Sequence, residues 1–196
     1  MEPVILASSS PRRQEILKML GIPYQVMMPN IDETVTAALN ADDVSELFAR
    51  EKVAAVIKSM PAGREILWVL GADTVIVYNK TVYGKPKDEQ EAADFLRTFS
   101  GKTHTVYTTV ALYNGRKHEI FTKTSRTQVT FSALSEKEIE WYTRTGEWHG
   151  AAGGYRIQSL ASCFITKIEG TMSGVMGLPI SELYDILKEQ GYSIIE

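Results

Sequence analysis

Cysteine is almost missing from this chain of 196 residues, in which Cys163 is the single example. No disulfide can therefore form within the chain, and the disulfide framework of small secreted domains is excluded. Because Cys163 lies in an apolar stretch that we read as a strand, we interpret it as a small core residue. The three histidines stand far apart in sequence and lack the spacing of zinc ligands.

Long hydrophobic runs and an excess of positive charge are missing as well. No apolar stretch is long enough to span a membrane, and no basic segment precedes the short apolar run at the start. We therefore expect no membrane association and a cytoplasmic location. Lysine and arginine number 21 against 24 aspartates and glutamates, which gives a net charge of −3. That balance argues against a broad nucleic-acid-binding surface but is compatible with a small anionic ligand held by local cations.

The common catalytic signatures are also absent. The chain has no Gly-x-x-x-x-Gly-Lys-Ser/Thr loop for phosphate binding and no Gly-x-Ser-x-Gly turn for a nucleophilic serine. A cysteine–histidine nucleophile stays open on sequence alone. Hydrophobic residues at 44% and charged residues at 23% are typical of a globular protein.

The first residues that are informative predict a strand, a polar loop and a helix. The apolar run 4–7 has the length of a buried strand, and Ser8-Ser9-Ser10 interrupts it. Ser10 suits a helix N-cap, and Pro11 suits the first helical position because its missing N–H is not needed there. We expect this helix to end at Gly21.

Two arginines, Arg12 and Arg13, stand in the first turn of that helix. Acidic residues are normally preferred there, because the helix N-terminus already carries partial positive charge. Guanidinium groups beside hydroxyls and free N–H groups are suited to binding phosphate oxygens. The predicted phosphate-binding residues are Ser8, Ser10, Arg12 and Arg13, and we expect both arginines to be exposed without ligand. The alternative is an ordinary capped helix with a solvated arginine pair.

The rest of the chain mixes strand and helix patterns. Hairpin turns are predicted at Asn79-Lys80 and Asn114-Gly115, and a capping box at Ser135 and Glu138. Predicted strands cover 24–28, 66–70, 75–78, 81–83, 103–113, 118–131, 155–158 and 163–168. Predicted helices begin at Asp42-Asp43, Asp88, Ser135 and Pro179. No flexible linker separates these elements.

Acidic residues stand beside two of these elements. The strand 66–70 is expected to end at Asp73, and strand ends are where α/β sheets bind ligands. A carboxylate buried there needs a cation, a metal or water. The alternative is a turn aspartate that caps the following backbone. Glu33 follows Asp32 after a Pro-Asn break, and composition alone favours a solvated acidic loop.

Two lysines and a glutamine complete the set of candidate site residues. Lys52 is expected at the edge of the apolar arc of the helix that begins at Asp42-Asp43. Its ammonium can reach inward from there, and ordinary snorkelling is equally favoured. Lys85 stands in the rigid Gly84-Lys85-Pro86 segment. Gln158 is assigned to a short strand after the glycine-rich loop 148–154, where the backbone can approach a ligand closely.

Several of these segments resemble, in order and spacing, the motifs of the Maf family of nucleotide pyrophosphatases. They are Leu6-Ala7-Ser8-Ser9-Ser10-Pro11-Arg12-Arg13, Ile31-Asp32-Glu33, Arg50-Glu51-Lys52, Gly71-Ala72-Asp73-Thr74, Gly84-Lys85-Pro86, Tyr155-Arg156-Ile157-Gln158 and Gly177-Leu178-Pro179. Because these motifs cover essentially the whole chain, the resemblance is specific.

The resemblance implies a fold, an activity and a cofactor. The fold is α/β and similar to that of inosine triphosphate pyrophosphatase, with a mixed elongated sheet flanked by helices and two lobes that form a cleft. The activity is hydrolysis of a nucleoside triphosphate to its monophosphate and pyrophosphate, aided by a divalent metal, Mg²⁺ or Mn²⁺. We expect one domain spanning 1–196, with a homodimer as a candidate assembly.

The resemblance also implies roles for the candidate residues. Asp73 is expected to be the general base and a metal ligand, with Glu33 as its metal-binding partner, although either carboxylate could do either job. Thr74 and Gln158 are expected to bind the edge of the base through hydrogen bonds. The cations expected to neutralise the triphosphate are Arg12, Arg13, Lys52 and Lys85.

The run Tyr155-Arg156-Ile157-Gln158 resembles the branch of the family that acts on dTTP and UTP. Two positions depart from the family pattern. Gly150-Ala151-Ala152-Gly153 lacks a lysine that many members have before the Ala-Gly pair, which puts a phosphate contact from that loop in doubt. Gly174 replaces a larger residue.

Two other functions remain open. The first is a non-catalytic nucleotide-sensing module that acts in cell-division control, which would not need two carboxylates opposite the arginines. The second is a phosphatase for sugar phosphates or monophosphates, which would release orthophosphate instead of pyrophosphate.

Overall fold

The computed structural model describes residues 1–31, 41–61, 63 and 65–195, with the backbone alone at positions 41 and 42. Asp32 and Glu33 lie outside the described residues. The described chain forms the following strands and helices in order: β1 (Val4–Leu6), α1 (Pro11–Met19), β2 (Tyr24–Val26), α2 (Ala41–Ser59), β3 (Trp68–Tyr78), β4 (Thr81–Tyr83), α3 (Glu89–Phe99), β5 (Thr103–Asn114), β6 (Glu119–Phe131), α4 (Glu136–Arg144), β7 (Ile165–Glu169), α5 (Met172–Met176) and α6 (Ile180–Glu189).

These strands form one mixed sheet, as the family resemblance implied. Its order is β2-β1-β3-β5-β6-β7, and β4 pairs with β3. Strand β1 runs parallel to β2 and β3, with Leu6 opposite Val26 on one side and Leu70 on the other. Strand β4 is antiparallel to β3, and β7 is antiparallel to β6. The described ranges hold no helix whose length and apolar character would let it cross a membrane.

The chain divides into two compact units, each assembled from separate stretches. The first unit comprises 1–73, 108–124 and 177–196, and the second comprises 74–107 and 125–176. The chain passes between the units within strands β3, β5 and β6 and again directly after α5.

Each unit has its own core. In the first unit, one face of α2 packs its small and branched side chains on the sheet. This cluster consists of Ala7, Ala49, Val53, Val56, Val69 and Ala111. In the second unit, aromatic side chains dominate, including Phe99, Phe131, Tyr142 and Tyr155.

The local signals around α1 are confirmed. Ser10 is the N-cap, Pro11 is the first helical residue, and Gly21 follows the helix with a φ of +68°. The Ser10 side chain makes no capping hydrogen bond. Instead, the Ser10 N–H donates to the Ser8 hydroxyl at 3.2 Å, which orders the loop between β1 and α1.

The predicted turn and cap signals in the second unit are also confirmed. Asn79 and Lys80 have positive φ, as a tight hairpin between β3 and β4 requires. Asp88 caps α3 by accepting from the Glu91 N–H, and Ser135 caps α4 in a capping box.

The predictions for residues 155–158 and for Cys163 are wrong. Residues 155–158 are not a strand, because Gln158 lies in a turn between two short 3-10 segments, 152–154 and Leu160–Phe164. Cys163 lies in the second of these segments and is exposed, so it is not a core residue. Ala161 and Phe164 are the residues of this segment that are buried, whereas Cys163 is not.

Candidate active site

The loop between β1 and α1 is held by the side chain of Arg13. Its Nε donates to the Gly177 carbonyl oxygen at 2.7 Å, and its terminal nitrogen donates to the Ser8 hydroxyl at 2.9 Å. Both Arg13 and Ser8 are buried, whereas Arg12 is half-buried. The expectation that both arginines are exposed is therefore wrong for Arg13. Its guanidinium has the fixed geometry to join a carbonyl and a hydroxyl from different segments.

Asp73 lies inside β3 and not at its end, which corrects the sequence prediction. Strand β3 continues from Trp68 to Tyr78 because the residues after Asp73 are again apolar and β-branched. The carboxylate is tolerated in mid-strand because it has a cationic partner. A buried aspartate is stable when a cation inside the fold pairs with its carboxylate.

That partner is Lys52 of α2. Its Nζ donates to Asp73 Oδ1 at 2.5 Å, and the two residues are only 5% and 7% exposed. Lys52 therefore lies within the buried face of α2 and not at its edge. The inward orientation of the ammonium is confirmed, and ordinary snorkelling is excluded.

Gly71 makes this pairing possible. A Cβ on Gly71 would lie 2.7 Å from Val53 Cγ2 and 2.9 Å from the Ala49 carbonyl oxygen, so α2 lies directly on β3 there. Because side chains alternate along a strand, Asp73 points to the same face as Gly71, toward α2. Thr74 then points to the opposite face and is half-buried.

The first unit thus brings two groups of predicted residues onto neighbouring strands. The Ala7 N–H donates to the Leu70 carbonyl oxygen at 2.8 Å, which continues the pairing of β1 with β3. Ser8 follows Ala7 directly, and Asp73 lies three residues beyond Leu70. Ser8 and its partner Arg13 therefore lie at the carboxyl end of β1, beside the strand that carries the Asp73–Lys52 pair.

The second unit contains the other predicted residues and brings two of their loops together. The Gly153 N–H donates to the Gly84 carbonyl oxygen at 2.8 Å, and Gly154 packs on the buried Pro86. Lys85, between Gly84 and Pro86, is exposed. The rigid segment thus presents its ammonium to solvent beside the glycine-rich loop.

Gln158 is half-buried in the turn that follows this loop. Its Oε1 is shielded from solvent and has no hydrogen-bond partner among the described residues. A buried amide oxygen without a partner is unfavourable, and the N–H of a ligand is one group that would satisfy it.

Sequence reasoning missed the anchor of Arg13 at Gly177. Arg13 and Gly177 are 164 positions apart, and no local pattern connects them. The one available signal was that both belong to motifs of the resemblance, Arg13 to the opening motif and Gly177 to the Gly177-Leu178-Pro179 motif.

The structure describes one of the two carboxylates predicted to hold a metal. Among residues 1–31, 41–61, 63 and 65–195, no three His, Cys, Asp or Glu side chains form a potential metal-binding group. The prediction for Glu33 lies outside the described residues. Mg²⁺ usually binds one or two carboxylates together with substrate phosphates, so Asp73 fits as an oxygen donor of such a site.

Comparisons with known proteins match the whole chain. A family model described as Maf, Maf-like protein, matches residues 3–190. A protein from Pelotomaculum thermopropionicum that is named dTTP/UTP pyrophosphatase is 42% identical over 195 residues. Proteins of the same name from Treponema denticola and Desulforamulus reducens are each 40% identical, over 204 and 195 residues. Each alignment covers 100% of this chain and 100% of the relative.

Proposed function

This chain belongs to the Maf family, and we propose that it hydrolyses nucleoside triphosphates, dTTP and UTP above others, to the monophosphate and pyrophosphate. The observation that carries the proposal is the buried Asp73–Lys52 pair on the strand beside the Ser8–Arg13 loop. A carboxylate on β3 with an ammonium from α2, beside a loop that carries a guanidinium, supports this reaction, because attack of water on a phosphate needs a base and cationic donors. The name of the relatives that match over their full length supports the same reaction.

The reaction joins a water oxygen to the α-phosphorus and breaks the bond from that phosphorus to the oxygen that bridges to the β-phosphate. Asp73 takes a proton from the water, so that the attacking oxygen becomes a better nucleophile. Lys52 holds the carboxylate by Oδ1 and thereby fixes its orientation. The leaving pyrophosphate carries away the negative charge.

Donors around the loop stabilise that charge. The half-buried Arg12 at the start of α1 is suited to the phosphate oxygens, because it lies at the positive end of the helix. Arg13 positions the loop through Ser8 and Gly177. Lys85, an exposed residue of the second unit, stays a proposed phosphate-binding residue.

We propose that a divalent cation, Mg²⁺ or Mn²⁺, assists the reaction, with Asp73 and Glu33 as its protein ligands. When bound, the cation supplies charge neutralisation at the phosphate oxygens. Asp73 keeps further lone pairs for this role, since a carboxylate has about four acceptor positions. The cytoplasmic location and the homodimer stay predictions.

Base selection is assigned to Gln158. Uracil and thymine present a donor at N3 between two carbonyl oxygens, whereas N3 of cytosine is an acceptor. The buried Oε1 of Gln158 accepts the N3–H, and the amide nitrogen donates to a neighbouring carbonyl oxygen. A site built on such hydrogen bonds rejects a base that leaves them unmade.

A product assay tests the reaction. The protein is incubated with dTTP, UTP, CTP, ATP or GTP and Mg²⁺ or Mn²⁺ in ¹⁸O-labelled water, and the products are identified. We expect pyrophosphate and a monophosphate that carries the label, with dTTP and UTP ahead of the rest. Asp73→Asn is the inactive variant, and Asp94→Asn, an exposed carboxylate on α3, is the matched control.

Each alternative has its own outcome in this assay. Release of orthophosphate would indicate the phosphatase. Binding of nucleotides without any product would indicate the sensing module. Either outcome would overturn the proposed function.

A further inference from the structure

A histidine that the proposed reaction does not use is buried in the core of the second unit. His104 of β5 is 1% exposed, and its Nε2 lies 2.7 Å from the Tyr155 hydroxyl. Its ring packs against Phe99 and Phe131, with centroid distances of 4.4 and 5.3 Å. Within the described chain, Nδ1 has no hydrogen-bond partner. The Tyr155 hydroxyl therefore fixes the polar edge of a ring that is otherwise surrounded by aromatic side chains.

Both partners of this bond are uncharged at neutral pH. Burial lowers the pKa of His104 to about 4 and raises the pKa of the Tyr155 hydroxyl. A neutral imidazole shares one proton with a neutral phenol, whichever of the two donates. Loss of either partner would leave the other polar group unpaired in an apolar core, which is unfavourable. The bond is thus a fixed link between β5 and the segment that begins at Tyr155.

That segment is Tyr155-Arg156-Ile157-Gln158, and further contacts hold it on the side of Tyr155. The Arg156 N–H donates to the Tyr142 hydroxyl at 3.2 Å, and Ile157 is buried. Tyr155 also packs edge-on against Phe131 at 5.0 Å. Gln158 is therefore three residues from a side chain that is anchored by both packing and a hydrogen bond.

The segment is also held beyond Gln158. The Ser159 hydroxyl donates to Glu147 Oε1 at 2.5 Å, and the Leu160 N–H donates to Glu147 Oε2 at 3.2 Å. Gln158 stands between these two anchors, and its own Oε1 has no partner among the described residues. The anchors hold the backbone of the turn on both sides of Gln158.

We propose that His104 is a positioning residue for base selection, because its hydrogen bond to Tyr155 holds the turn that presents Gln158 to the base. The inference rests on the proposed function, in which Gln158 pairs with uracil or thymine. An amide distinguishes N3–H of uracil from N3 of cytosine only if it is held to within about 0.5 Å of the pairing geometry. A hydrogen bond at the start of the turn supplies that constraint without touching the substrate.

Two variants remove the same bond from opposite sides. His104→Phe keeps an aromatic ring in the cluster but removes the ring nitrogen, and Tyr155→Phe removes the hydroxyl. His104→Gln places an amide nitrogen near the position of Nε2 and is the conservative rescue. Ser100→Ala is the matched control, since it removes the hydrogen bond that the Ser100 hydroxyl accepts from the Leu134 N–H at 2.7 Å in the same unit.

The measurements are kcat and KM for dTTP and CTP, the melting temperature, and amide hydrogen exchange of residues 155–160. We expect both single variants to lower the dTTP-to-CTP ratio of kcat/KM about tenfold, through KM for dTTP, with kcat almost unchanged. The double variant should be no less selective than either single variant, since all three lack one bond. His104→Gln should regain most of the selectivity. Exchange should accelerate at 155–160 but not in α4.

Other outcomes overturn the proposal. If His104→Phe and Tyr155→Phe lower the melting temperature but leave the ratio at the parent value, as Ser100→Ala should, His104 only stabilises the core. Faster amide hydrogen exchange at 155–160 with an unchanged dTTP-to-CTP ratio of kcat/KM would also show that His104 does not act in base selection. If His104→Phe does not fold, Tyr155→Phe decides the question from the other side of the bond. A parent protein that hydrolyses dTTP and CTP equally well would instead refute the proposed selectivity of Gln158.

Discussion

Removal of one partner from the buried Lys52–Asp73 pair should cost the protein stability as well as activity. The perturbations are Asp73→Asn, Lys52→Met and the double variant Lys52→Met/Asp73→Val, which replaces both charges by apolar side chains. Each single variant leaves one buried group with its partner missing, whereas the double variant leaves none. Stability and activity should therefore respond differently across the series.

The magnitude follows from the geometry. At 2.5 Å and an effective dielectric constant of about 20, two unit charges attract by about 7 kcal/mol. Desolvation of both ions, at several kcal/mol each, offsets most of this attraction. Loss of one partner removes this attraction while the other ion stays buried, and we expect about 3–5 kcal/mol of destabilisation in each single variant. The double variant should come within about 1.5 kcal/mol of the parent.

Activity should not recover with stability. General-base assistance is worth about 10²–10⁴-fold, so Asp73→Asn and the double variant should both lose at least that much turnover. The assays are urea unfolding for stability and pyrophosphate release per folded molecule for activity. Lys123→Met is the matched control, because the Lys123–Glu189 pair has a similar length of 2.6 Å but lies at the surface. That control should cost much less than either single variant, because solvent screens an exposed ion pair.

Equal urea midpoints for Asp73→Asn and Lys123→Met would refute the reasoning, because burial would then make no difference to the pair. A double variant no more stable than the single variants would refute it as well. A double variant that recovers both stability and turnover would show that Asp73 has no role in the reaction.

The remaining predictions concern Arg13, Gln158 and His104. Arg13→Ala should cost about 1.5–3 kcal/mol in urea unfolding, more than Arg12→Ala, since it removes two buried hydrogen bonds, to the Gly177 carbonyl oxygen and to the Ser8 hydroxyl; an equal cost would contradict the anchoring role. Gln158→Glu should lower kcat/KM for dTTP about tenfold or more and narrow the gap to CTP, and an unchanged ratio in kinetic assays would remove Gln158 from base selection. Because the pKa of His104 falls from 6.5 in the unfolded chain to about 4 in the folded one, only the unfolded chain takes up this proton between those values. The contribution of the neutral His104 to the free energy of unfolding is therefore fully present above about pH 6.5, and about 3 kcal/mol of it is lost by about pH 4. In urea unfolding at several pH values, His104→Phe should make the free energy of unfolding depend less on pH in this range.

Local chemistry allowed much of the fold to be predicted. The Ser10-Pro11 start of α1, the Asn79-Lys80 hairpin and the Ser135 capping box all depend on residues within a few positions of one another. Such signals act before tertiary packing and need no distant partner. The family resemblance added the mixed sheet, which no local signal contained.

Two of the predictions that failed depended on a distant partner, and a third depended on a local turn. The sequence predicts Asp73 at a strand end because the apolar run stops before it, whereas the compensating Lys52, 21 positions away, allows the strand to continue through it. Arg13 was expected to be exposed because its carbonyl acceptor lies 164 positions away. Cys163 was placed in the core because an apolar stretch does not show which of its residues face inward once the chain forms a 3-10 turn.

The sequence by itself therefore determined the elements, their caps and turns, the family and the residue types of the candidate site. Only the tertiary structure decided which of those residues compensate one another. Lys52 meets Asp73 because Gly71 lets α2 lie directly on β3, and Ser8 lies beside that strand because β1 pairs with β3 in parallel. Packing and strand register act between segments far apart in sequence, so the charge partner of a buried group is set by the assembled fold and not by its neighbours along the chain.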